Sequence, residues 1–204
     1  ATQNTGVARV MDFIAKYGSS PVDRAKIKGE DANSGDAVDI ALDGRDPVVH
    51  VFKTISEPHV GELSFFRVYS GSITTGLDLY NTTRGRSERF GQMFLMNGKT
   101  RTSVTNLNAG DIGSVVKLKD THTGNTLTGS NNKVKIPSVR LPNSNIHLGI
   151  RSKAKGDEEK IATGLATIHE EDETFVYNVD SELRQTVLSG QGELHLQVSI
   201  DRLK

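Results

Sequence analysis

Apolar residues first recur at a helical period. Val7, Val10, Met11, Ile14 and Tyr17 fall three or four positions apart, on one face of a predicted helix. Asn4 or Thr5 offers a cap at its start, Gly18 a stop, and Ser19-Ser20-Pro21 blocks continuation. A lone amphipathic helix encloses no core, so this stripe needs a partner. Residues 23–46 are polar and rich in Gly and Asp, which predicts a linker or long loop.

From Pro47 the period drops to two. Val49, Val51 and Phe52 open a strand, and Leu63, Phe65, Phe66, Val68 and Tyr69 form the next. Leu77–Tyr80, Arg89–Met96, Ile112–Leu118 and Val134–Ile136 follow, with turn residues between them at short intervals. That spacing predicts an antiparallel barrel or sandwich, with Pro137 and Pro142 punctuating its exit.

The final third changes character. A strand near Asn145–Ile150 precedes a helix from about Asp157 that carries Ile161, Leu165 and Ile168 on one face. Phe175–Val179 and Gln185–Ser189 read as paired strands joined by a polar turn at Asp180–Glu182. The β-α-β-β order predicts an α+β sandwich of the split βαβ kind. The last element fits two periods: Leu194, Leu196, Val198 and Ile200 alternate like a strand, while Leu196, Ile200 and Leu203 fit a helical stripe.

Composition narrows the chemistry. The 204 residues include no cysteine, which excludes disulfides, thiolate metal sites and thiol nucleophiles. No apolar run approaches a membrane span and no secretion signal opens the chain, so the expected location is cytoplasmic and the Asn81-Thr82-Thr83 sequon carries no weight. Formal net charge is zero, so any contact with nucleic acid must come from a local patch. One such set is Arg84, Arg86, Arg89, Lys99 and Arg101, on neighbouring predicted hairpins; the alternative is ordinary surface charge balanced by Glu88.

Other motifs lose force on inspection. Gly98-Lys99-Thr100 lacks the upstream glycine of a phosphate-binding loop, since Met93 stands there, and extended residues rather than a helix follow it. Asn132-Lys133-Val134-Lys135 has Lys where a guanine-reading carboxylate belongs. The six histidines show no metal-ligand spacing, and His195, among apolar neighbours, reads as a packed and hydrogen-bonded side chain. The acidic runs at 157–159 and 170–173 read as solvated helix ends. No catalytic residue, metal ligand or cofactor site is expected within the chain.

Several segments together resemble the elongation factor G family. The longest runs from Gly110 to Leu127 and includes Gly110-Asp111-Ile112 and Leu118-Lys119-Asp120-Thr121. Val60–Gly71, with Phe65-Phe66-Arg67-Val68-Tyr69-Ser70-Gly71, is similar to the start of that family's second-domain barrel, and Asn81–Arg89 to a later part of it. Glu171–Phe175 and Ser189–Leu196 resemble third-domain segments, and Gly6–Pro21 the helix that closes the GTPase domain.

The resemblance implies an internal piece of a larger translational GTPase. Residues 1–46 would be the closing helix and a linker, 47–137 the domain II β-barrel, and 138–204 a ferredoxin-like α/β sandwich, domain III. That last domain would lack its final strand, leaving its first strand as an open edge and itself the less ordered part. The final element would then be a helix. The implied function is ribosome binding within a factor that drives GTP-dependent translocation, with the barrel on small-subunit RNA. Partners would be the ribosome and the GTPase and C-terminal domains of the parent, which would hold GTP and Mg. Ser189, Gly190, Gly192, Glu193 and His195 would form a contact surface between domains. Glu173, Gln191 and Val48 depart from the family pattern and leave open a housekeeping translocase or a diverged paralogue. Further alternatives are a ribosomal-protection (tetracycline resistance) GTPase, a release-factor-recycling GTPase, or a stand-alone RNA-binding barrel.

Overall fold

The computed structural model describes residues 2–57, 61–129, 133–152, 156–180 and 185–204. Helix α1 spans Val7–Tyr17. Its start differs from expectation: Gly6 occupies the cap position with φ 78° and no side-chain cap forms, so Asn4 and Thr5 do not serve. Gly18 does end it, donating its N–H to the Ile14 carbonyl at 2.7 Å. The apolar stripe stays open, with Val10, Met11, Phe13, Ile14 and Tyr17 55–64% exposed.

The predicted linker is largely ordered β structure. Ser20 and Asp23 cap a 3-10 turn over Pro21–Arg24. Strands β1 (Lys26–Asp31) and β2 (Ala37–Ala41) then form an antiparallel hairpin with Ile27 opposite Ile40. Asp31 organises its turn by accepting N–H bonds from Asn33 and Ser34 at 2.8 and 3.0 Å. A Cβ on Gly29 would sit 2.6 Å from Ile40 Cδ1, so the glycine makes room for the hairpin's buried residue.

Ten strands build the barrel: β3 (Val48–Glu57), β4 (Gly61–Ser70), β5 (Ser72–Thr74), β6 (Asp78–Asn81), β7 (Arg86–Arg89), β8 (Met93–Asn97), β9 (Thr100–Val104), β10 (Asn106–Asn108), β11 (Ile112–Val116) and β12 (Thr126–Thr128). Eight of them pair in the order β7-β6-β12-β3-β4-β11-β8-β9, and β5 pairs with β10. Strand β13 (Val134–Lys135) leaves the barrel to pair with β1. The inward faces bury Val49, Val51, Phe66, Val68, Leu79, Phe90 and Leu127, with the Phe66 and Phe90 rings edge to face at 5.2 Å. A register shift between Val51 and Lys53 turns Phe52 outward, where it is 44% exposed and faces Phe65. The predicted strand over Arg89–Met96 is instead two, because Phe90 swings into the core between them. Asn97-Gly98-Lys99-Thr100 is the tight β8–β9 turn, with Gly98 at φ 57°.

The last unit comprises β14 (Ile146–Ile150), α2 (Glu158–Glu171), β15 (Val176–Asp180), β16 (Gln185–Gly190) and α3 (Glu193–Leu203). Its sheet runs β14-β16-β15, all antiparallel, as the split βαβ reading requires. Most of the turn predicted at Asp180–Glu182 lies outside the described residues. Leu165, Ile168, Phe175, Leu188 and Leu196 form its core. Packing resolves the final element as a helix. Leu196, Ile200 and Leu203 join that core, whereas Leu194 and Val198 are 77% and 51% exposed. Gly164 permits the close helix crossing, since a Cβ there would lie 2.5 Å from Leu203 Cδ1.

Candidate nucleic-acid interface and domain junction

The loop after β6 is set by two buried polar side chains. Asn81, fully buried, accepts from the N–H groups of Thr83 and Arg84, both at 3.0 Å. Its amide nitrogen donates to Thr121 Oγ1 at 3.0 Å and Asn125 Oδ1 at 2.9 Å. Glu88 on β7 points inward, only 4% exposed, and accepts from Lys119 N, Asp120 N and Thr121 Oγ1. It therefore does not balance the arginines at the surface. It fastens the 119–121 loop through charge-assisted hydrogen bonds.

That loop carries the real counter-charge. Asp120 pairs with Arg84 at 3.2 Å and with Arg86 at 3.3 Å. Both guanidinium groups remain accessible, their side chains 46% and 72% exposed. Two arginines held by one carboxylate retain donors for a phosphate oxygen. The other predicted members do not join them. Arg89 lies beside Gly76, Lys99 in the β8–β9 turn, and Arg101 pairs with Glu57. The five-residue face reduces to a pair.

Asp120 also begins a polar bridge to the last unit. His122 Nε2 lies 3.8 Å from Asp120, and His122 Nδ1 is 2.8 Å from Glu170 Oε2. Glu171 makes three contacts at the end of α2. Its carbonyl accepts from Lys53 Nζ, its Oε1 from Ser56 N at 2.7 Å, and its Oε2 pairs with Arg202. The Lys53 ammonium thus meets a helix C-terminus, where the dipole favours a cation. The first half of the 170–173 run is not solvated, whereas Glu173 is exposed. Glu170 and Glu171 link the two cores, their side chains 20% and 11% exposed.

The residues expected to face another domain are mostly engaged within their own. His195 Nδ1 accepts from Gln191 N at 3.1 Å, and Nε2 lies 3.2 Å from Asp172 Oδ2. Partial burial raises the Asp172 carboxyl, but the Thr174 hydroxyl and amide, with His195 and Lys53, outweigh it and hold the group below its ordinary value. Ser189 Oγ bonds His147 Nδ1 at 2.8 Å. Gly190 lets α3 approach, since a Cβ would lie 2.8 Å from Leu196 Cδ2. Gly192 caps α3 with extended backbone, and Glu193 beyond it is exposed. Sequence reading missed Asp120, His122, Lys53 and Glu170. Asp120 and His122 sat within the Gly110–Leu127 segment, Glu170 within an acidic run read as solvated, and nothing in the sequence pointed to Lys53.

Among the described residues no group of three His, Cys, Asp or Glu side chains could hold a metal ion. No helix among them is long and apolar enough to cross a membrane.

A strand barrel followed by a split βαβ sandwich, joined through a polar bridge, is the architecture of a two-domain segment of a translation factor. Residues 47–130 match the model of elongation factor G domain 2, and residues 141–204 that of elongation factor G domain III. The crystal structure of a protein from Thermus thermophilus superposes with a TM-score of 0.78 at 27% identity. The alignment covers 97% of this chain and 27% of that one, so the chain spans about a quarter of its structural relative. The chain belongs to the elongation factor G family and carries that family's second and third domains.

Proposed function

We propose that this chain is the ribosome-binding middle of a cytoplasmic translational GTPase, with its barrel on small-subunit RNA. The observation that carries the reading is the exposed Arg84–Arg86 pair, fixed by buried Asn81 and Glu88, in a chain of this family. A rigid frame holds two guanidinium groups ready for phosphate without ordering them on contact. The GTP- and Mg-holding part belongs to the parent protein, and binding rather than hydrolysis is the role of these two domains. The Glu170–Glu171 bridge would transmit the orientation of one domain to the other during translocation. The exposed Glu193 and Leu194 at the start of α3 remain the surface for a further domain.

The test is binding of the chain to isolated small ribosomal subunits across a salt series. Arg84→Ala and Arg86→Ala should each weaken binding and lower the salt slope by about one. Arg101→Ala, which removes a residue already paired with Glu57, should change neither. Unchanged affinity and slope in the Arg84→Ala/Arg86→Ala double variant would end the RNA-contact reading.

A further inference from the structure

A second basic site lies elsewhere on the chain. A cleft of about 490 Å³ opens between the N-terminal hairpin and the outward face of β4. Arg24, Lys28 and Arg67 line it, and no Asp or Glu among the described residues does. Lys28 is committed to Asp39 at 2.6 Å. Arg24 and Arg67 form no ion pair with a described carboxylate. Arg67 is the telling residue. Its Nε is buried without a hydrogen-bond partner, and its guanidinium carbon lies 5.2 Å from the centre of the Tyr69 ring. A buried charged donor left unmatched costs more than almost any other polar defect, so it calls for a partner.

The cleft is also built to keep its shape. Pro21 packs so closely on Gly110 that a Cβ there would lie 2.8 Å away, which pins the 3-10 turn bearing Arg24 against the barrel. Ile27, Ile40 and Ile136 supply an apolar wall beside the cations, and Ser20 and Tyr69 add hydroxyl groups. The volume falls within the range of small-molecule sites.

We propose that this cleft binds a small organic phosphate about the size of a nucleoside monophosphate. Two guanidinium groups match the charge of a phosphate monoester and present forked donors to its oxygens. The apolar wall receives the body of the ligand. Its position between hairpin and sheet favours a compact anion over a nucleic-acid backbone.

The experiment titrates the whole chain with adenosine monophosphate, inorganic phosphate and uncharged adenosine, followed by amide NMR shifts. Adenosine monophosphate should move the resonances of residues 20–28 and 67–69, inorganic phosphate should move a subset of them, and adenosine should leave them in place. Arg67→Ala should weaken adenosine monophosphate binding at least about tenfold, the loss of one charge-assisted contact, while Arg84→Ala leaves it unchanged. Arg24→Ala, at an exposed position, gives a second variant whose fold is not at risk, and it should weaken binding in the same sense. Absence of shifts at millimolar ligand, or equal binding by adenosine, would overturn the proposal. So would a single-stranded RNA oligomer that binds this cleft more tightly than the monophosphate and loses affinity in Arg67→Ala, because the site would then be a nucleic-acid contact.

Discussion

Asn81 and Glu88 illustrate how a polar residue can be as structural as a leucine. Each is buried, and each satisfies several groups of a loop far away in sequence. Asn81→Ala would orphan the N–H groups of Thr83 and Arg84 and should cost about 2–3 kcal/mol in urea unfolding. Glu88→Gln keeps the shape but weakens the charge-assisted bonds, so a smaller loss of about 1–2 kcal/mol is expected. His50 adds a pH dependence. Burial holds its imidazole below the ordinary value, so the folded state prefers it neutral while the unfolded chain protonates near pH 6.5. Above that value the residue imposes no penalty. As pH falls below it the unfolded state binds the proton first, and stability drops until the folded pKa is also passed. The urea midpoint of the natural chain should therefore fall more between pH 7.5 and 5.5 than that of His50→Gln. An equal fall in both would remove His50 as the cause.

At the scale of elements, alternation revealed what burial dictates and hid what satisfied polar atoms allow. Strands β3, β4 and β11 announce themselves because their inward positions are apolar. Strand β12 does not: all three residues of Thr126–Thr128 are buried, yet two are threonines, tolerable inside because Thr126 Oγ1 accepts from Ile136 N at 3.0 Å. The β1–β2 hairpin was hidden for a related reason, since Ile27, Val38 and Ile40 are its few apolar residues and its register depends on Gly29 and a β13 partner more than a hundred residues on. The candidate site was legible as residue types only. Arginines at 84 and 86 are visible in the chain, but Asp120, which gathers them, comes from another loop. The same distance conceals the His122–Glu170 contact. A double-mutant cycle with His122→Ala and Glu170→Ala should give a coupling of about 0.5–1 kcal/mol. A coupling indistinguishable from zero would mean that the contact does not tie the domains.

The described residues form two hydrophobic cores with a polar bridge between them, and no apolar cluster among them spans both. Polar bridges at partly exposed sites are weak compared with cores, so each unit should keep its own cooperativity. Core truncations can expose this. Leu188→Ala opens a cavity in the last unit and should destabilise it by about 2–5 kcal/mol, and Val115→Ala should act likewise but less strongly in the barrel. In calorimetry, Leu188→Ala should lower one transition and leave a second, barrel transition nearly in place. Lys53→Ala combined with Glu171→Ala should widen the separation, because it removes the Lys53 and Ser56 contacts to Glu171 across the bridge. A single transition that shifts as a whole in every variant would show instead that the bridge couples the cores into one folding unit. That outcome would also weigh on function, since domains that cannot unfold apart have less freedom to pivot about Glu171. Independent transitions would fit a segment whose two domains turn against each other on a polar joint while each keeps its binding surface rigid.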